Sequence, residues 1–398
     1  MRSTRLIRTC FGVIAVAVLS LIIAACGSSG GSGTGTQEAT TGAEEPAGEG
    51  AGTDARTERA EELGRQAAEE SGASVELPPK KAGILNILGS IESAQRSEKA
   101  MKAAIADLGW TSSSCDAEGD PTKMTACGNS LLDSGVEVMF TIGIEPSLIK
   151  GPLQKAKQEG VPVVSFAGKV APDPLWAGAY YPSDPESGTI LAAYVEERLN
   201  ELEGTKEVAI NSYPAAWSEL RTDRFRKVVK ENPDWKLVAN QTTDAANLVE
   251  GTRQQVTDTL TANPDIKAYW FGFDSAGQAG GQTIAAKYPG KSFPERPLVV
   301  TFDADLATQE LIRAGAIDAV VDVAYPASAW VAADQAAQFF ARNTPMSTSP
   351  RPKYLATFYD NEIVTKENLP PEGQYREPKD DYEKFFETKW ETEFDKGG

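Results

Sequence analysis

The sequence contains no histidine. That absence removes the commonest general base, the serine–histidine–aspartate triad and any histidine-ligated metal site. Chemistry run by carboxylates alone stays open, a glycosidase included, but no Glu/Asp pair here stands in a recognisable catalytic context. Cysteine is scarce, with four in 398 residues. Cys10 falls in an apolar leader and Cys26 at its end, which leaves Cys115 and Cys127. An even pair in an exported chain is by default a disulfide, and no other ligand cluster accompanies it to suggest a redox or metal site. Positive charge is in deficit: 39 Lys+Arg against 57 Asp+Glu give a net charge of −18. Without the first 26 residues, which hold Arg2, Arg5 and Arg8 and no acid, 36 against 57 makes −21. Such a surface repels polyanions and argues against nucleic acid as a partner.

Long apolar runs are also lacking. The longest, Phe11–Ala25, falls short of the ~20 residues that span a bilayer. It follows the three arginines and ends in Ile23-Ala24-Ala25-Cys26, a secretory signal pattern whose close resembles a bacterial lipobox. The expectation is cleavage before Cys26 and diacylglycerol on its thiol, so that residues 1–26 are a lipoprotein signal peptide. Residues 27–78 have almost no bulky apolar side chains; GSSGGSGTGT and the acidic stretch after it are expected to form a flexible tether. A helix over 57–70 is an alternative there, with a solvated charge run preferred.

At 41% hydrophobic residues the rest of the chain can build real cores, and its length allows roughly two to three domains. From residue 79, short apolar runs alternate with amphipathic segments. Strands are expected at 84–88, 136–142 and 161–166, with helices at 97–108, 123–132 and 148–159, a βαβαβ series that predicts a doubly wound parallel sheet. Composition changes around 173–185, where PLWAGAYYP reads as a crossing to a second lobe. The alternation then restarts and reaches LVVTFDADLATQELIRAGAIDAVVDVAYP, residues 298–326. Asp303 closes the strand in that stretch, where open α/β sheets place ligands, so it is either a ligand-facing carboxylate or the N-cap of the next helix. The expected fold is α/β, two doubly wound parallel-sheet lobes joined by a multi-strand hinge. The first lobe takes 79–182 and 325–357, the second 183–324 and 358–398.

The order of these elements resembles the periplasmic ligand-binding proteins of sugar ABC importers, the type I group typified by ribose-binding protein, over about residues 80–390. The stretches that carry the likeness are GVEVMFTIG, AKQEGVPVVSFAG, DPESGTILAAYV, NPDIKAYWFGFDSAGQAG and, best of all, VVTFDADLATQELIRAGAIDAVVD. The closing PPEGQYREPKDDYEKFFETKW is similar to tails of actinobacterial members. The resemblance implies a ligand held between lobes by Asp, Asn and Arg, with aromatic rings on sugar faces. Asp303 matches the carboxylate after the strand, Asp274 the polar residue that opens the small-residue helix, and Arg221 the Arg of R-x-x-G-F, although Arg224 stands where the family has Gly. The family's hinge Gln has no clear equivalent; Asp322 and Ala324 occupy the neighbourhood.

Asp274 could equally cap a helix, and Arg221 could pair with Asp223 or Glu219. Aromatic contacts are expected from two or three of Trp217, Trp176, Tyr181, Phe166, Phe273 and Tyr325, with Trp217 first. Ser90, Glu92 and Glu145 follow strands and complete the candidate set. The resemblance implies a monomeric, extracytoplasmic receptor that needs no cofactor or metal and does no catalysis, and the lipobox ending at Cys26 adds a lipid anchor. It would capture a small polar ligand, a sugar or similar, and hand it to ABC permease subunits. A sensory lipoprotein serving a chemoreceptor or two-component system, and a binder of aromatic or nucleoside-like ligands, are the alternatives.

Overall fold

Tandem alanines at 60, 67 and 68 give the acidic segment before residue 72 a face small enough to pack closely, and the chain uses it. Helix α1 (Gly50–Ser71) buries all three and lies along a helix near the carboxyl terminus. The preference for a solvated charge run here is therefore corrected: the buried side chains are alanines, which carry little hydrophobic signal. The computed structural model describes residues 50–243, 247–352 and 358–396, all within a compact unit from Glu49 to Gly398. The signal peptide, Cys26 and the Gly/Ser tract lie outside the described residues.

After a short strand β1 (Val75–Glu76) come β2 (Lys81–Asn86), α2 (Glu92–Asp107), β3 (Thr111–Asp116), α3 (Pro121–Asp133), β4 (Val138–Ile142), α4 (Lys150–Glu159), β5 (Val163–Phe166) and β6 (Gly178–Tyr180). The five strands from β2 to β6 form a parallel sheet in the order β3-β2-β4-β5-β6. Its central strands are apolar on both sides because both faces are covered. Ile84, Phe140 and Val164 face α2, whereas Leu85, Met139 and Val163 face α3 and α4. Asp120 starts α3 by accepting from the backbone of Thr122 and Lys123. Cys115 on β3 and Cys127 on α3 are bonded to each other, with Cα atoms 5.5 Å apart.

The second lobe runs α5 (Asp184–Asn200), β7 (Lys206–Ser212), α6 (Ala216–Glu231), β8 (Trp235–Thr242), α7 (Leu248–Ala262), β9 (Ile266–Phe271), α8 (Asp274–Lys287), β10 (Leu298–Phe302), α9 (Leu306–Arg313) and β11 (Ala319–Asp322). Then α10 (Tyr325–Arg342) returns to pack on α2 and the first sheet. The chain passes once more to the second sheet as β12 (Glu362–Thr365), antiparallel to β11, giving the order β12-β11-β10-β9-β7-β8.

The terminal helix α11 (Tyr382–Glu393) and strand β13 (Phe394–Asp395) do not stay with the second lobe, as the expected boundary 358–398 had it. Helix α11 packs on α1 and α10, with Trp390 stacked on Trp330 at 5.3 Å between centroids, and β13 pairs with β1. Its buried face, Phe385, Phe386 and Trp390, explains the return: the large apolar surface it completes is on the first lobe.

Candidate functional site

Both sheets reverse strand order next to a central strand, β2 beside β4 in the first and β7 beside β9 in the second. Ligand crevices in open α/β sheets form outside the carboxyl ends of strands at such points. Here the two sets of strand ends face each other across a cavity of ≈ 80 Å³. Ile87 and Leu88 follow β2, Gly143 follows β4, and Ala167 and Gly168 follow β5. From the opposite side come Tyr213 after β7, Phe273 and Asp274 after β9, Asp303 after β10, and Tyr325 shortly after β11. Trp217, at the start of α6, and Leu248, at the start of α7, complete that wall.

Two of these strand ends sit in the left-handed region without glycine, Ala167 at φ 72° and Asp303 at φ 67°. Strain of this kind is held by surrounding structure and collects at functional sites. The Asp303 side chain lines the cavity. Asp303 is not the N-cap of α9: that position is Asp305, and neither oxygen of its carboxylate caps the helix. The cap comes from the other lobe, where Glu92 accepts from the Leu306 and Ala307 amides at 2.8 and 3.3 Å.

The Asp303 carboxylate is 4% exposed, and its Oδ1 has no hydrogen-bond partner. Burial pushes its pKa up to about 8; Arg221 and Arg96 pull it down, Asp274 and Asp322 push it up. Arg221 is wholly buried. Its Nε donates to Asp184 at 2.9 Å and its Nη2 to the Tyr325 hydroxyl, while Nη1 stands 3.8 Å from Asp303 Oδ2 and makes no hydrogen bond. Arg221, expected at the ligand, lies behind the cavity wall, and the alternative pairing with Asp223 or Glu219 is replaced by Asp184; Glu219 and Asp223 are held by Arg226 at 2.7 and 2.8 Å. An orphan donor and an orphan acceptor side by side are costly unless something supplies the missing bonds.

Further contacts cross the cleft. Ser93 on α2 donates to Asp274 Oδ2 at 2.7 Å, and Arg96 reaches Asp305 at 3.0 Å and Asp322 at 3.4 Å. Burial pulls the Arg96 pKa down, but Asp322 and Asp305 hold it above its ordinary value. Glu145 accepts from the Ala216 amide at 3.1 Å, across the lobes. Glu92 and Glu145 therefore act here as caps between lobes, not as cavity walls.

Of the expected aromatic set, Trp217, Phe273 and Tyr325 line the cavity. Phe166 does not: it is fully buried under α2 and α10, because β5 is covered on both faces. Trp176 donates to the Ala171 carbonyl at 3.3 Å and packs on the outer core of the first lobe, and Tyr181 lies half-buried near Asp184. Ser90 is exposed at the rim. Sequence reasoning missed Ile87, Ile91, Ser93, Arg96, Tyr213 and Leu248. Tyr213 had the same signal as Phe273, an aromatic just past a strand; the aliphatic residues had none that separates a wall from a core.

Two parallel-sheet lobes with a cavity between their strand ends define the chain as a bilobal binding protein of the type I periplasmic fold. The chain belongs to the periplasmic binding protein family, whose domain model matches residues 83–343. It is similar to a solved solute-binding protein from Bacillus halodurans with bound myo-inositol, at 17% identity over 75% of this chain and 97% of that one, TM-score 0.62. It is likewise similar to one from Agrobacterium radiobacter in complex with D-arabinose, at 20% identity over 74% and 96%, TM-score 0.62. A third, from Mycobacterium smegmatis with bound glycerol, is 19% identical over 73% and 96%, TM-score 0.62.

Proposed function

We propose that this protein is a lipid-anchored extracytoplasmic receptor that captures a small polar ligand between its lobes and presents it to an ABC permease. The observation that carries the reading is the cavity walled by both lobes, with Asp303 and Asp274 facing into it. Ligand can favour a closed form only through contacts that both lobes make at once. From the first lobe Ile87, Ile91 and Ser93 would make them, and from the second Asp303, Asp274, Trp217 and Phe273, with Arg221 bracing Asp303 and Tyr325 from behind. Sugars and polyols in the structural neighbours support the ligand class. The role is binding without turnover. Anchoring rests on the sequence ending in Cys26, and delivery to a permease rests on family membership.

A thermal-shift panel of pentoses, hexoses, polyols, nucleosides and aromatic acids tests the reading on the chain from Glu49 onward. A ligand at 100 times its dissociation constant stabilises by about 2.7 kcal/mol. A selective shift that Asp303→Ala removes is the expected result. A flat panel, with no carried-over ligand found by mass spectrometry of the denatured protein, contradicts it.

A further inference from the structure

The charges around the cavity do not balance. Five carboxylates, Asp184, Asp274, Asp303, Asp305 and Asp322, are each no more than 4% exposed. Among the described residues three guanidiniums reach them. Arg96 takes Asp305 and Asp322, Arg221 takes Asp184, and Arg376 takes Asp322 while also serving Asp360 and Glu362. The two carboxylates that face the cavity fare worst. Asp274 has no cation within ion-pair distance among the described residues; it accepts from the Ser93 hydroxyl and from Ser275. Asp303 has only Arg221 at 3.8 Å, beyond hydrogen bonding, and one oxygen with no partner.

The remaining walls are poor in spare polar groups. Ser93 is committed to Asp274 and Ser97 donates to the Ser93 carbonyl at 2.8 Å, while the Tyr325 hydroxyl accepts from Arg221 and keeps one proton to donate. Around them stand the rings of Tyr213, Trp217 and Phe273, with Trp217 and Tyr213 stacked at 5.4 Å. A neutral polyol needs donors and acceptors in rough balance around its hydroxyls. This cavity offers buried, under-partnered carboxyl groups and aromatic faces. A protonated nitrogen matches both: it brings up to three donors to carboxylates, it is drawn to ring faces, and it supplies the charge the buried acids lack.

We infer that the ligand is a compact molecule bearing a protonated nitrogen, such as an amino sugar, bound between Asp274 and Asp303 against Trp217 and Phe273. This rests on the reading of the cleft as the ligand site and narrows its ligand class. The nitrogen would take the unpartnered Asp303 oxygen and share Asp274 with Ser93.

Calorimetry on the chain from Glu49 with matched pairs tests it: glucosamine against glucose, an amino-deoxy-inositol against myo-inositol, and cyclohexylamine against cyclohexanol. The expected result is that an amine binds at least about tenfold more tightly than its hydroxyl partner, a difference of ~1.4 kcal/mol. Asp274→Asn and Asp303→Asn should each collapse that ratio; if either variant fails to fold, the wild-type ratio alone decides. Hydroxyl compounds that bind as well as their amines overturn the inference and leave the sugar-receptor reading standing. Silence from every member of every pair overturns this inference, and the wider thermal-shift panel then decides the receptor reading.

Discussion

Trp217 of the second lobe covers Gly168 of the first so closely that a Cβ at residue 168 would lie 2.8 Å from the indole Cδ1. Glycine at that point permits the lobes to meet over the cavity. Gly168→Ala should leave each lobe folded and obstruct their approach, since overpacking costs about 1–3 kcal/mol. Ligand affinity should fall roughly tenfold or more with little change in melting temperature of the unliganded protein. Unaltered affinity would show that Trp217 is not seated on the glycine when ligand is bound.

Asp303 makes the folded protein sensitive to pH. Its folded pKa of about 8 lies above the ordinary 3.8, so the native state holds a proton that the unfolded chain has already lost. Stability from this group is present at low pH and is lost as pH rises through about 8. Asp184 and Asp305 are raised by burial in the same direction, which makes comparison with Asp303→Asn necessary. The melting temperature of the wild type should drop relative to the variant between about pH 4 and about pH 8. A difference between the two proteins that stays flat across this window contradicts the assignment.

Much of this layout was legible in the sequence because buried parallel strands read as apolar runs. The stretch from Leu298 to Phe302 and the turn at Asp303 were both recoverable from pattern and punctuation. Strand β3 was not: TSSSCD is a polar edge strand, paired in the sheet with β2 alone and tied to α3 by the Cys115–Cys127 disulfide. In the site, charged and aromatic residues after strands could be nominated, and Asp274, Asp303, Trp217, Phe273 and Tyr325 do face one cavity. Phe166 carried the same aromatic signal and is core. Contacts between lobes, such as Glu92 on the α9 amides, bridge more than 200 positions and leave no local trace.

Helix α1 is the clearest case of a hidden element, and it is tied down by Gly64. A Cβ there would lie 2.6 Å from the Phe385 carbonyl oxygen and 3.1 Å from Thr388 Cβ. Gly64→Val should separate α1 from α11 and lower the melting temperature by a few degrees, at a cost of about 1–3 kcal/mol. Proteolysis should then cut within residues 50–71. A variant as resistant and as stable as the wild type would mean that α1 is not docked in solution.

The other fastening of α11 is ionic. Lys389 donates at 2.6 Å to both Asp334 on α10 and Glu393, all three buried, and Trp390 Nε1 adds a bond to Asp334 at 2.9 Å. Lys389→Ala leaves buried carboxylates with less compensation and should cost about 3–5 kcal/mol in chemical denaturation. Lys389→Ala with Asp334→Leu should recover part of that loss. Single and double variants of equal stability would refute the coupling.

On the function proposed above, ligand closes two lobes over the cavity lined by Asp274 and Asp303. Small-angle scattering on the chain from Glu49, with and without a ligand whose binding calorimetry has established, measures it directly. A smaller radius of gyration and maximum dimension are expected at saturation, with the compaction diminished in Gly168→Ala. Superimposable curves at saturating ligand would contradict it, because the ligand would then be binding without drawing the lobes together.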